Sequence, residues 1–336
     1  MRSLPRLALT SLVATLVLVA VGGFTRGSDS GYGCADRWPL CENGLAGGWL
    51  PRAEYHMIIE WSHRWLAASV GLLAVATAVV ALRYHRTQRG VVVPAVSAVV
   101  VIGIQAWVGR LVVKEGLDAD LVSVHLAISM TVVALLTVVV VAGGALSGAV
   151  TGADRAVTQD RAWTTKLAVA AGGSIVLLLL GTYVHNLHIS GWPLVGGKFF
   201  PGLSNRFIAV HYFHRVVAGS GAVYLVYLSM NLSRWRRPAV ERRLVHTATA
   251  VYLVNVGLGA AHVFTKVEQS LLVAAHLAAA AVVWSTLVAA TTLAALRRPI
   301  AVTALGTGPK PPSSVGSWEP GPFETPTVTS WSSRTS

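Results

Sequence analysis

Long apolar runs alternate with short polar stretches along most of the 336-residue chain. Eight runs stand out, at about 7–24, 58–82, 91–113, 121–143, 164–184, 206–230, 243–264 and 269–296. A run of roughly 20 apolar residues spans the hydrocarbon core of a bilayer. Backbone groups in lipid must be paired internally, so each run predicts a transmembrane helix rather than an open strand. The first run follows a basic start, as a cleaved signal peptide does. No small-x-small cleavage site follows it, and the repeat described next needs it, so it reads as a membrane helix. From about residue 299 the pattern stops. The stretch "GTGPKPPSSVGSWEPGPFETPTVTSWSSRTS" cannot bury a core and predicts a disordered cytoplasmic tail.

The polar positions inside these runs repeat. His63-Arg64 and His214-Arg215 are offset by 151 residues, and so are His125 and His276. Around the first pair, "HRWLAAS" matches "HRVVAGS", and the preceding loops share "SGYGCADRWPL" and "SGWPL". Gln105 and Gly109 on the third run correspond to Asn255 and Gly259 on the seventh. The expected architecture is an all-α membrane protein whose eight transmembrane helices form two tandem, pseudosymmetric four-helix bundles. Residues 1–143 form the first, 144–163 a Gly/Ala/Asp linker, 164–298 the second and 299–336 the tail.

Charge orients this architecture. The chain is 54% hydrophobic and 12% charged, with formal net charge +13. Soluble domains carry about a quarter charged residues. With the N-terminus inside, the inner segments hold 17 of the 27 basic residues and 5 of the 14 acids. That leaves 10 basic and 9 acidic residues outside, so the net charge is +12 inside and +1 outside. The asymmetry is the positive-inside pattern, which places both termini in the cytoplasm of a cell-membrane protein. It also accounts for the basic excess without nucleic acid.

The histidines supply the candidate chemistry. His63, His125, His214 and His276 each fall on the outer part of an even-numbered helix, two in each half. Cofactor sites in four-helix bundles are built from side chains on facing helices. Imidazole suits zinc, copper and iron. Zinc sites gather three or four protein ligands in one place, whereas paired imidazoles between apolar walls suit the iron of a haem. Arg64 and Arg215, each next to a histidine, are placed either to pair with a haem propionate or to snorkel to the headgroups. The halves differ at one position: Glu60 precedes His63 by three residues, and its counterpart before His214 is His211. Glu60 shares a helix face with His63. A carboxylate in a membrane marks function by default: Glu60 serves proton transfer in the N-terminal half only, or it orients His63 or pairs with Arg64. Cys34 and Cys41 share one outer loop, where an oxidising exterior permits a disulfide and free thiols are the alternative. No C-x-x-C-H haem-attachment motif occurs.

The set "GG-x-x-R…SG-x-GC-x-D…WPLC", then "EWSHR", the later "HR" and the two "HL" histidines resembles the heme A synthase family. These membrane enzymes oxidise heme O. The resemblance covers about residues 7 to 296. It implies oxidation of the C8 methyl of heme O to a formyl group, giving heme A for terminal oxidases. It implies that His63 and His125 bracket the substrate haem with Glu60 catalytic, and that His214 and His276 ligate a haem b. It further implies a paired, redox-capable Cys34 and Cys41. Expected partners are the heme O synthase that makes the substrate, and a quinone or other electron acceptor. This chain departs from the family in "CADRWPLC", one residue longer than the related "CPDWPLC", in "TRGSDSG", and in His185 and His188 of the third outer loop. Other classes that bear on the same residues are a diheme electron carrier of the cytochrome b561 kind and a haem transporter or chaperone. A carrier predicts equivalent halves, against the Glu60/His211 difference. A transporter predicts helix breaks at the midplane, and no paired Gly/Pro breaks occur there.

Overall fold

The computed structural model describes residues 3–144, 160–184, 195, 198–203, 205–265 and 269–297. His185 and His188, most of the expected linker and the expected tail lie outside these residues. Among the described residues are eight α-helices: α1 (Ser3–Gly27), α2 (Tyr55–Tyr84), α3 (Arg89–Lys114), α4 (Ala119–Ala142), α5 (Arg161–Val184), α6 (Arg206–Asn231), α7 (Ala239–Phe264) and α8 (Ser270–Ala295). No strand occurs among them; the extended pairings Leu45–Leu50 and Val195–Lys198 are isolated bridges.

Seven of the eight helices are long and apolar enough to cross a membrane. The exception is α6, which is long enough at 26 residues. His211, Tyr212, His214 and Arg215 interrupt its apolar run, which is the physical reason it falls outside the set. The expected eighth span is therefore a helix of spanning length with a polar outer half. The protein is a multi-pass membrane protein. At 1.5 Å per residue, the 30 residues of α2 reach about 45 Å, beyond the roughly 30 Å hydrocarbon core.

Packing follows chain order. Helix α1 contacts α2, α2 contacts α3, α3 contacts α4, and α4 returns to α1. Helices α5 to α8 make the same circuit, with α8 returning to α5. Across the two sets, α1 packs on α8, α4 on α8 and α4 on α5. One buried cluster is drawn mainly from α1–α4, including Leu4, Met130, Val133 and Leu136. A second is drawn from α5–α8, including Trp163, Leu167, Leu228 and Leu287. Large side chains such as Leu72, Val223 and Met230 face outward, as lipid permits.

Lipid tails are as apolar as leucine, so close backbone approach and hydrogen bonds have to join the helices. Ser11 meets Thr77 at 3.0 Å between α1 and α2. Thr137 meets Ser285 at 3.0 Å between α4 and α8. Trp284 Nε1 donates to the Met130 carbonyl at 2.9 Å across the same seam. At Gly27 an added Cβ would lie 2.9 Å from Val273 and 3.1 Å from the Ser270 Cα. Glycine there lets the end of α1 lie against the start of α8.

A polar knot closes one end of α5–α8. Glu241, 1% exposed, accepts from Trp163 Nε1 at 2.8 Å and Arg297 Nε at 2.7 Å. It ties the starts of α5 and α7 to the end of α8. Asp160 caps α5 by accepting from the Trp163 N–H at 3.1 Å, and it pairs with Arg237. The Arg237 guanidinium also covers the Trp163 ring, 4.9 Å from its centroid. The backbone N–H of Trp163, then Arg237, hold the Asp160 carboxyl below the usual carboxylate range.

Removing one partner of a buried ion pair costs about 3–5 kcal/mol, because the other charge is stranded. Glu241→Ala is therefore expected to lower the thermal transition of the detergent-solubilised protein well beyond the loss from Trp163→Phe, which removes a single hydrogen bond worth about 1–3 kcal/mol to Glu241. Asp160 has a depressed folded-state pKa, so its stabilisation is present above the unfolded value of about 3.9 and is lost as pH falls through the folded one. Hydrogen exchange at the first turn of α5 should rise on acidification below about pH 4, and Asp160→Asn should remove that pH dependence.

Candidate functional site

The four histidines occupy matching positions on their helices. His63 and His214 are each the ninth residue of α2 and α6. His125 and His276 are each the seventh residue of α4 and α8. All four sit two to three turns in, about 10–13 Å along the axis. All four line one cavity of about 1420 Å³. His63 and His125 are electrostatic neighbours, as are His214 and His276. The cavity exceeds the roughly 300–1,000 Å³ of a typical small-molecule pocket, and its other walls include Leu18, Leu177, Ile102 and Val256.

In each of the four rings Nδ1 is buried; those of His63 and His125 make no hydrogen bond among the described residues, while His214 and His276 lie against the backbone of Leu177 and Asn255. In each ring Cε1 is the atom nearest a glycine of the neighbouring helix. Four half-buried imidazoles, each with its Nδ1 buried, around a shared apolar chamber are a costly arrangement unless something binds them. Soft-to-borderline nitrogen donors in pairs, with flat apolar space between, fit the axial positions of an iron porphyrin. Among the described residues no group of three or more His, Cys, Asp or Glu side chains is placed to hold a bare metal ion.

The outer loop between α1 and α2 closes over the N-terminal part of the cavity. Cys34 and Cys41 are both buried and joined by a disulfide, with Cα atoms 4.3 Å apart. The loop folds back on itself through Glu42 N–H to the Cys34 carbonyl at 3.0 Å and Cys41 N–H to the Gly48 carbonyl at 3.1 Å. At Gly33 an added Cβ would lie 2.2 Å from the His56 carbonyl oxygen, so only glycine lets the loop lie on the start of α2.

Glu60 joins this loop to the cavity. It is 3% exposed and lines the chamber one turn before His63. Its Oε2 accepts from the Cys34 N–H at 2.7 Å. Its Oε1 accepts from Arg64 Nε at 3.1 Å and Arg64 Nη2 at 2.5 Å. Arg64 Nη1 then donates to the carbonyls of Arg37 at 2.8 Å and Leu40 at 3.0 Å. All three guanidinium nitrogens of Arg64 thus have protein acceptors, so its placement serves the loop and Glu60. Its proposed counterpart Arg215 also lines the cavity, beside His214. His211, at the position equivalent to Glu60, is 5% exposed and lines the same chamber. The carboxylate is therefore confined to one end of a shared cavity.

His262 was not among the residues singled out in the sequence. It lines the cavity and stacks edge-on against His276, with ring centroids 5.2 Å apart. It has no histidine mate at the 151-residue offset, so the repeat does not reveal it. Its spacing from Asn255 and Gly259, seven and three residues, places all three on one face of α7 and is the signal that finds it. Gln105 and Asn255, matched in the sequence, both line the chamber. Gln105 Nε2 donates to Ser129 Oγ at 2.5 Å, and Ser129 Oγ donates to the His125 carbonyl at 2.9 Å. Trp38, Trp49, Trp61 and Trp65 form an aromatic wall at the Glu60 end.

Fold and site together define a multi-pass helical membrane protein with paired histidines around a largely apolar chamber. A family profile described as cytochrome oxidase assembly protein (COX15-CtaA) matches residues 49–288, and the chain belongs to that family. Among curated relatives, the "Heme A synthase" of Alkalihalophilus pseudofirmus is 29% identical over 266 residues, 76% of this chain and 85% of the relative. The protein of the same name from Symbiobacterium thermophilum is 27% identical over 77% of this chain and 85% of the relative. That from Bacillus licheniformis is 32% identical over 129 residues, 38% of this chain.

With the loop cysteines bonded, a membrane-impermeant maleimide should label neither until reductant is added; immediate labelling would refute the bond. Arg64→Ala strands the buried Glu60 carboxylate and releases the loop carbonyls of Arg37 and Leu40. It should speed reduction of the Cys34–Cys41 bond and proteolysis of the loop severalfold, measured by labelling rate and gel mobility.

Proposed function

We propose that this protein is a heme A synthase, which oxidises the C8 methyl group of heme O to a formyl group. The observation that carries this reading is the asymmetric chamber: four matched imidazoles around one cavity, with a buried carboxylate at one end only. An electron carrier needs no such difference between its ends.

In this reading the protein is two pseudosymmetric four-helix bundles, residues 1–143 and 164–298. The 151-residue offset, the matching ring positions and the identical order of helix contacts support it. Both termini are cytoplasmic, as the charge asymmetry supports, which puts the histidines toward the outer face. His63 and His125 hold the substrate, heme O, in the N-terminal half. His214 and His276 hold a haem b in the C-terminal half, which when bound supplies one-electron transfer. Arg215, beside His214, meets a carboxylate at the edge of that haem.

Converting a methyl group to a formyl takes two successive two-electron hydroxylations, each adding an oxygen from water with two electrons passed to the acceptor and two protons released, and then the loss of one water. Glu60 is the group placed to take the protons. Its carboxylate is fixed by the Cys34 N–H and by Arg64, so neither oxygen has to reorganise as charge develops nearby. Arg64 positions Glu60 and anchors the disulfide loop, which keeps water from that end of the chamber. The loop, Trp wall and apolar lining together exclude solvent that would otherwise intercept an activated carbon. The electron acceptor is a quinone or another membrane carrier, and heme O arrives from its farnesyltransferase.

The test is expression in a host that makes heme O but no heme A, then haem extraction, chromatography and mass analysis. Heme A or its hydroxylated intermediate is the expected product; only protohaem and unaltered heme O, from folded protein, sinks the reading. Glu60→Gln should cut product by roughly 10²–10⁴-fold while the low-spin b-type spectrum persists. Normal turnover in that variant would remove Glu60 from the chemistry.

A further inference from the structure

We propose that Gly22, Gly109, Gly181 and Gly259 are positioning residues, each forming the seat on which one cavity histidine is set. The proposal rests on the haem-ligand reading of His63, His125, His214 and His276 and deepens it.

The geometry recurs four times. A Cβ added at Gly22 would lie 3.2 Å from His63 Cε1; at Gly109, 3.0 Å from His125 Cε1; at Gly181, 3.3 Å from His214 Cε1; at Gly259, 3.2 Å from His276 Cε1. At all four, atoms of that one imidazole are the only neighbours within 4 Å. Each glycine lies in the last two turns of an odd-numbered helix, and each histidine in the first three turns of the next. The chain separation differs, 41 and 33 residues for the first type and 16 and 17 for the second. The contact is kept although the connecting loops change length, so it is not a by-product of one hairpin shape.

Other glycines show what the alternatives look like. Gly23 and Gly27 face backbone of α8, at 3.2 Å from the Ala274 Cα and 3.1 Å from the Ser270 Cα. They serve close helix approach. Gly173 on α5 and Gly257 on α7 face nothing within 4 Å. The four seats belong to neither class: the space they leave is filled by an imidazole and by no backbone. Glycine is the weakest helix former after proline, and here its missing side chain lets the Nδ1–Cε1 edge of the ring lie against the helix. That sets the ring's rotation and therefore the direction of Nε2. Ligand orientation imposed from behind is how outer partners tune a metal site. An alanine at a seat displaces the ring by a few tenths of an ångström; a valine has to turn it.

The experiment uses the full-length protein titrated with hemin, read by optical and low-temperature EPR spectra together with haem content. Gly181→Val and Gly259→Val should lower haem affinity about 10–100-fold or convert the low-spin signal to high spin. The milder Gly181→Ala and Gly259→Ala, which retain the fold if valine does not, should shift the low-spin g values while haem stays bound. Gly173→Val and Gly257→Val, on the same two helices, should match wild type. Wild-type spectra and affinity in all seat variants overturn the proposal. Equal losses in the Gly173 and Gly257 controls also overturn it, in favour of general helix packing. A wild-type spectrum in both His214→Ala and His276→Ala would instead overturn the ligand reading beneath it. Loss in those histidine variants with no effect at the seats sinks the seats alone.

Discussion

An imidazole set half-buried in an apolar membrane interior, with its Nδ1 cut off from solvent, has to find a partner, and this chain sets four around one chamber. That constraint organises much of the rest. Successive helices pack in chain order, and each odd helix brings a glycine against the ring carried by the next. The seams between α1–α4 and α5–α8 are closed by hydrogen bonds such as Thr137–Ser285 and Trp284 to Met130, since hydrophobic burial cannot join helices in lipid. A loose seam would let the rings drift, and an axial ligand tolerates little drift.

The two ends of the chamber are built differently. At the N-terminal end a carboxylate, a guanidinium and a disulfide loop form one hydrogen-bonded unit. Glu60 is held from above by the Cys34 N–H and from its own helix by Arg64. The unit is polar, but its charges are paired and its donors are satisfied, which is how an ionisable group is kept inside a membrane protein. At the C-terminal end His211 stands in the place of Glu60, and His262 adds a sixth imidazole, against His276. One end holds a buried carboxylate paired with a guanidinium, and the other holds imidazoles beside Arg215. That contrast is the physical basis for assigning proton chemistry to one half and electron transfer to the other.

Much of this was legible in the linear chain. Apolar run length determined the helices, because hydrocarbon thickness sets how many residues must be apolar. The 151-residue offset of His63/His214 and His125/His276 singled out four side chains that line the cavity, because equal spacing on equal helices places them at equal depth. Glu60 stood out because it broke that equality. What the chain did not show was who touches whom across helices. The sequence offers Arg64 either a haem carboxylate or the headgroups, and it does not show that Arg64 donates to Glu60 and to the carbonyls of Arg37 and Leu40. His262 has no repeat mate and stayed hidden.

The sequence by itself determined the order of the helices among the described residues and singled out the four histidines that line the cavity, since each follows from periodicity, length or spacing along one dimension. Only the tertiary structure decided that the four histidines open onto a single cavity, that the disulfide loop is anchored to Glu60, and that glycines back the rings. Those are contacts between segments 16 to 41 residues apart and more, and their geometry depends on helix rotation. A rotation of one residue position, about 100°, turns a ligand from the chamber to the lipid, and no local pattern of residues specifies it until the neighbouring helix is in place.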